Sequence, residues 1–205
     1  MAHALVDLLK NTFPGAVLET HAQHGDETVV LAPAAWHDAA ALLKTSPAAD
    51  MAMLTDLTAV DYPDRQPRFE VVAHFYSLSR GHRLRLKARV GDASGKGARI
   101  ASLADLWGSA NWMEREVWDM FGVVFDGHPD LRRILLYPEF EGHPLRRDYA
   151  AERIQPLVEY RDVPAIDKVP PFTDHEGMSF GRQTHDAGRT ADATDPELFP
   201  GDGVR

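Results

Sequence analysis

The sequence predicts an α+β fold: a small mixed or antiparallel sheet packed with helices, followed by an extended C-terminal tail. Three observations carry this. Residues 69–76 and 83–90 alternate apolar and polar side chains, as the two strands of a hairpin do. Helix-like stretches flank them at residues 4–13, 34–44 and 103–121. Beyond residue 150 the periodicity stops, which divides the chain into a globular domain over 1–150 and a tail over 151–205.

The elements follow in order. Leu5, Leu8 and Leu9 share one side of a first helix, which Pro14-Gly15 ends. Residues 16–19 and 28–31 read as strands across a polar turn at 24–26. Pro33 suits the start of a helix, and residues 34–44 are rich in good helix formers. Residues 51–60 read equally as helix or strand; a loop leading into a strand near 57–62 is the preferred reading. In the hairpin, Phe69, Val71, Ala73 and Phe75 face one way, as do Leu84, Leu86, Ala88 and Val90. The opposite face of the second strand carries Arg83, Arg85, Lys87 and Arg89. That stripe suits the solvated face of a half-buried strand, or a docking surface for an acidic partner. Ser102 with Asp105 three residues on reads as a capping box opening a helix over 103–121, broken near 108–111 and stopped by Gly122.

Composition narrows the function. The 205 residues carry a formal net charge of −9, which disfavours nonspecific nucleic-acid binding. Cysteine is absent, which excludes disulfides, thiolate-ligated iron–sulfur clusters and a cysteine nucleophile. No apolar run is long enough to cross a bilayer, and the start lacks the charged leader of a signal peptide, so membrane contact is expected only through a partner. The tail's Ile166, Val169, Phe172, Met178, Phe180, Leu198 and Phe199 are spaced like anchors for a segment lying across another surface.

The chemistry-bearing residues gather between 112 and 149. On the helix, Met113, Val117, Met120 and Phe121 form an apolar face, with Arg115 and Asp119 spaced for an ion pair and Glu114 and Glu116 beside them. The stretch GHPDLRRILLYPEFEGHPLRRDY then repeats one phrase, Gly127-His128-Pro129 with Arg132-Arg133 and Gly142-His143-Pro144 with Arg146-Arg147. His128, His143 and Asp148 suggest a metal site, as in a metal hydrolase, but their spacing fits no compact ligand motif. Each histidine precedes a proline, which suits a turn residue bonded to backbone or carboxylate. The arginines have the forked donors of an anion site. Acidic neighbours favour ion pairs within the chain or across an interface, and no phosphate-binding loop or hydrolase motif accompanies them. No residue is assigned to catalysis, cofactor binding or metal binding.

The full pattern is longer than any of these fragments. It runs Trp112, Glu114, Arg115, Glu116, Asp119, Gly122, Phe125, Gly127, His128, Pro129, Leu131, Arg132, Arg133, then Gly142, His143, Pro144, Leu145, Arg146, Asp148, Tyr149. It closely resembles the signature of the C subunit, or 30-kDa subunit, of respiratory complex I, the NADH:quinone oxidoreductase. The resemblance is unbroken over 102–149 and weaker back through the hairpin, and the same module occurs in membrane-bound hydrogenases and related dehydrogenases. It implies a structural subunit without a cofactor, in the peripheral arm, on the cytoplasmic face of a bacterial membrane or the matrix side in mitochondria. It further implies packing against the D subunit, which forms the quinone site with the B subunit, while FMN, iron–sulfur clusters and quinone belong to other subunits. The repeated phrase then becomes an interface-shaping element, and the tail a segment drawn over neighbouring subunits.

Overall fold

A computed structural model describes residues 3–92, 94 and 96–158. Helix α1 (His3–Thr12) leads into a hairpin of β1 (Val17–Gln23) and β2 (Asp26–Leu31). A 3-10 turn at Pro33–Ala35 opens α2 (Trp36–Thr45); β3 (Met53–Asp61), β4 (Phe69–Tyr76) and β5 (Arg83–Val90) follow. The short β6 (Arg99–Ala101), helix α3 (Gly108–Phe121) and β7 (Val124–Asp126) complete the regular structure. The expected sheet is present, and of the two alternatives it is the mixed one, with five strands in the order β1-β2-β5-β4-β3. All pairings are antiparallel except β2 with β5, where Thr28 lies opposite Arg85 and Leu31 opposite Ala88. β6 and β7 form a separate parallel pair.

The two alternating strands behave as their pattern demands. Phe69, Val71, Ala73, Phe75, Leu84, Leu86, Ala88 and Val90 all enter one core, together with Leu5 and Leu9 of α1, Trp36 and Leu43 of α2, and Val117 of α3. Helices therefore cover one face of the sheet, the arrangement that hides an apolar sheet face from water. On the other face Lys87 stands in register between Val30 and Val72, both buried. Its stem can cover them while its ammonium donates to Glu70 at 2.7 Å.

Part of the basic stripe is neutralised within the sheet. Arg89 forks onto Glu19 at 2.8 and 2.7 Å, and Arg85 donates to Thr28 at 3.2 Å. Burial alternates along β5 as the half-buried strand reading expects, with Arg83 exposed and Arg85, Lys87 and Arg89 part-buried, and acids on other strands of the sheet meet Lys87 and Arg89. The ambiguous stretch resolves as strand from Met53 onward, four residues before the expected start, because β4 pairs with its whole length. The expected tail enters the described residues only as far as 158, and its seven apolar anchors lie outside them.

Candidate functional site

Helix α3 organises the region that the repeated phrase occupies. It begins at Gly108, so Ser102 and Asp105 do not form the expected capping box. The chain instead turns at 102–107, where Ser102 Oγ accepts the Ala104 N–H at 3.1 Å and donates to Glu114 at 2.6 Å. Glu114 also accepts the Leu103 N–H at 2.6 Å and is fully buried. Burial pushes its carboxyl up to about 7, against the two hydrogen bonds that favour the charged form. Glu114 therefore staples the preceding turn to α3, while Asp105 faces His37 at 2.9 Å.

Asp119, the second fully buried acid of α3, is not paired with Arg115 as its spacing suggests. It accepts Arg133 at 2.6 Å and the N–H groups of Ile134, Leu135 and Leu136 at 3.1, 2.9 and 3.0 Å. Burial alone would raise its pKa, but these four donors hold it below the ordinary value. Arg115 turns outward and donates to the carbonyls of Arg132 and Arg133, each at 3.1 Å. Both side chains thus pin the irregular segment after β7 to the helix. Arg133 continues the stitching to the carbonyls of Phe140 and Gly142, at 2.7 and 3.2 Å, with the Trp118 and Phe140 rings 5.8 and 5.6 Å away. Glu116 stays exposed.

The two His-Pro turns hold opposite ends of the same helix. His128 Nε2 donates to the Asn111 carbonyl at 3.0 Å, while its Nδ1 accepts the Asp130 N–H at 3.0 Å. His143 Nδ1 donates to the Asp119 carbonyl at 2.9 Å, and burial lowers its pKa, keeping the ring neutral. Asn111 and Asp119 are eight residues apart, roughly 12 Å along the helix axis. The geometry does not assemble His128, His143 and Asp148 into one metal centre. Gly122 closes α3 in the left-handed region, φ 77°, donating to the Trp118 carbonyl at 2.8 Å. A Cβ there would lie 2.5 Å from His143 Nε2 and overlap Arg146, so the second turn approaches bare backbone.

The second arginine pair reaches another part of the fold. Arg146 Nε donates to the Phe121 carbonyl at 2.5 Å, and its guanidinium lies 5.2 Å from the Phe69 ring. The Arg147 N–H donates to Asp61 at 2.8 Å, its side chain remaining exposed. Asp61 in turn takes a fork from the buried Arg68 at 2.6 and 2.7 Å, and Arg68 donates to Asp148 at 2.9 Å. Sequence reasoning missed Asp61 and Arg68, which bracket the turn between β3 and β4; a charged pair at the two ends of a proline-rich turn was the available signal. The remaining signature residues support this scaffold. Phe125 is buried in β7, Leu131 packs against the core, and Tyr149 stacks on Phe140 at 6.1 Å. Arg132 pairs with Asp130 at 2.8 Å, outside the network. Trp112 and Leu145 point to solvent.

Residues 29–155, the span that holds this network, match the family model described as respiratory-chain NADH dehydrogenase, 30 Kd subunit. The chain belongs to that family. Among relatives of the 30-kDa subunit, the C subunit of the NADH-quinone oxidoreductase of Dinoroseobacter shibae is 45% identical, over 66% of this chain and 61% of its own length. The corresponding C subunit from Geobacter sulfurreducens is 46% identical, over 69% of this chain and 85% of its own. A solved trypsin-resistant fragment of Nqo5 aligns with a TM-score of 0.53 at 33% identity, covering 62% of this chain and 98% of that one. A chain of an archaeal membrane-bound sulfane sulfur reductase shares the fold, with a TM-score of 0.61 at 22% identity over 80% of this chain and 99% of its own.

Proposed function

We propose that this 30-kDa-type subunit is a structural part of the peripheral arm of a proton-translocating NADH:quinone oxidoreductase. In this reading it has no catalytic centre or cofactor of its own. It braces the quinone-reducing module by packing against the D and B subunits, while FMN, iron–sulfur clusters and quinone reside in other subunits. It touches the membrane only through them, on the cytoplasmic face of a bacterial membrane or the matrix face in mitochondria. Residues 1–150 form its globular domain, and residues 151–205 extend over neighbouring subunits.

One observation carries the proposal. The two histidines, the buried Arg68 and the part-buried Arg133 are bonded within the chain, so the repeated phrase builds a fixed platform rather than a reactive site. That platform displays large apolar side chains: Trp112 is 63% exposed, Leu135 61% and Leu145 53%. Exposed large apolar groups on a stitched frame suit a partner surface. Of the two courses expected for the arginines, pairing within the chain or across an interface, Arg133 takes the first.

The test is affinity capture of the full chain from gently solubilised native membranes, with mass spectrometry of what accompanies it. D and B homologues together with flavin-bearing NADH-oxidising subunits are the expected result. A nickel-bearing large subunit in their place would transfer the reading to an accessory subunit of a related membrane complex, which the fold likeness to the sulfane sulfur reductase chain favours as second choice. Capture of the chain alone, with large complexes intact in the same sample, would overturn both.

A further inference from the structure

Arg146 stands apart from the other interior cations. Arg68 holds two carboxylates and Arg133 holds one, whereas the Arg146 guanidinium has a single hydrogen bond among the described residues, from Nε to the Phe121 carbonyl. Burial and then repulsion by Arg68 lower its pKa; Asp148 and Asp61 oppose this more weakly, and Arg68 already holds both. His143, adjacent, is neutral. Arg146 lines an open cleft of about 540 Å³ together with His143, Asp148, Tyr149, Glu152 and Arg153. The acids and the other cation there are committed or peripheral. Asp148 is held by Arg68, Arg153 is paired with Glu141, and Glu152 is exposed.

We propose that this cleft receives an aspartate or glutamate side chain from a neighbouring subunit, which forks onto the terminal nitrogens of Arg146. A guanidinium presents two parallel N–H donors that match a carboxylate, and a partly desolvated one without a carboxylate of its own is the place where such a pair adds most to association. The adjacent apolar side chain of Leu145 would lie at the rim. This inference rests on the proposed assembly, and it names the chemistry of one contact within it.

The experiment uses the native complex captured through the full chain bearing Arg146→Lys. A zero-length carbodiimide condenses an amine with a carboxylate in contact with it, forming an amide while the reagent leaves as its urea. An amide between the introduced amine and an aspartate or glutamate of another subunit is the expected product, identified by peptide mass spectrometry. Linkage only to this chain's own carboxylates, including those of residues 159–205, or no linkage in a complex that still co-purifies, overturns the proposal. Should the substitution prevent folding, the unaltered protein gives the answer through phenylglyoxal, which adds to free guanidinium groups. Arg146 should be labelled in the isolated chain and lose that labelling in the assembled complex; equal labelling in both overturns the proposal, as does protection that inorganic phosphate alone reproduces in the isolated chain. The identities of the co-purifying subunits are read separately, so failure of the contact is distinguishable from failure of the assembly.

Discussion

Glu114 supplies a quantitative test of the staple between α3 and the 102–107 turn. It lies fully buried, with two hydrogen-bond donors and, among the described residues, no lysine or arginine partner. In the folded chain its carboxyl titrates at about 7 rather than the ordinary 4.5. Between those values the folded state binds the proton that the unfolded state has released, so stability falls as pH rises through the window. At about 1.4 kcal/mol per pKa unit the full penalty comes to about 3 kcal/mol. Glu114→Gln removes the titration and keeps the side chain's size. Urea unfolding of the full chain and of the variant at pH 5, 6, 7 and 8 isolates the effect, since other groups cancel in the difference. From pH 5 to pH 8 that difference should move in the variant's favour by about 2–3 kcal/mol. A flat difference across the range would mean that water or an unrecognised cation solvates the carboxylate, and the staple argument would fail.

Other expectations concern the stitched segment. Gly122→Ala should destabilise the chain by more than the roughly 1–2 kcal/mol of a left-handed alanine, because its Cβ would also collide with His143 and Arg146; denaturant midpoints measure this. Arg133→Ala leaves Asp119 buried without its cation, and should cost about 3–5 kcal/mol of stability in thermal or urea unfolding, with co-capture of other subunits falling in parallel. Asp61, Asp119 and Asp148 all have lowered pKa values, so the stability they lend is present above the ordinary 3.8 and disappears as pH falls through their lower folded values. Hydrogen exchange on acidification should accordingly open the Ile134, Leu135 and Leu136 amides before those of β4 and β5.

The sequence exposed most where one period repeats against one environment. Strands β4 and β5 lie where the alternation puts them, because their core face is purely apolar and their register is locked residue against residue. The Gly122 stop was equally legible, since few residues tolerate the left-handed conformation it adopts. Local spacing failed where a side chain had a stronger distant partner. Arg115 and Asp119 are correctly placed for an ion pair, yet Asp119 meets Arg133 and three amides from a segment that no helical pattern describes. Ser102 looks like a cap, but Glu114, twelve residues on, claims its hydroxyl. The signature residues were recognisable as a set, while their division into buried stitches and exposed side chains depended on tertiary geometry.

The parallel pairing of β2 with β5 has a consequence for how the chain matures. The N-terminal hairpin is synthesised first, yet its inner strand borders β5, so Thr28 must wait for Arg85, 57 residues later. Contacts so distant along the chain slow the search for the native topology, whereas β3, β4 and β5 follow one another and can form a meander by themselves. Until β5 arrives, Val29 and Leu31 of β2 lack their neighbours Leu86 and Ala88, a vulnerable interval for a nascent chain. The central strand is therefore a timing element as well as a scaffold, joining an early N-terminal piece to the meander that follows it in the sheet.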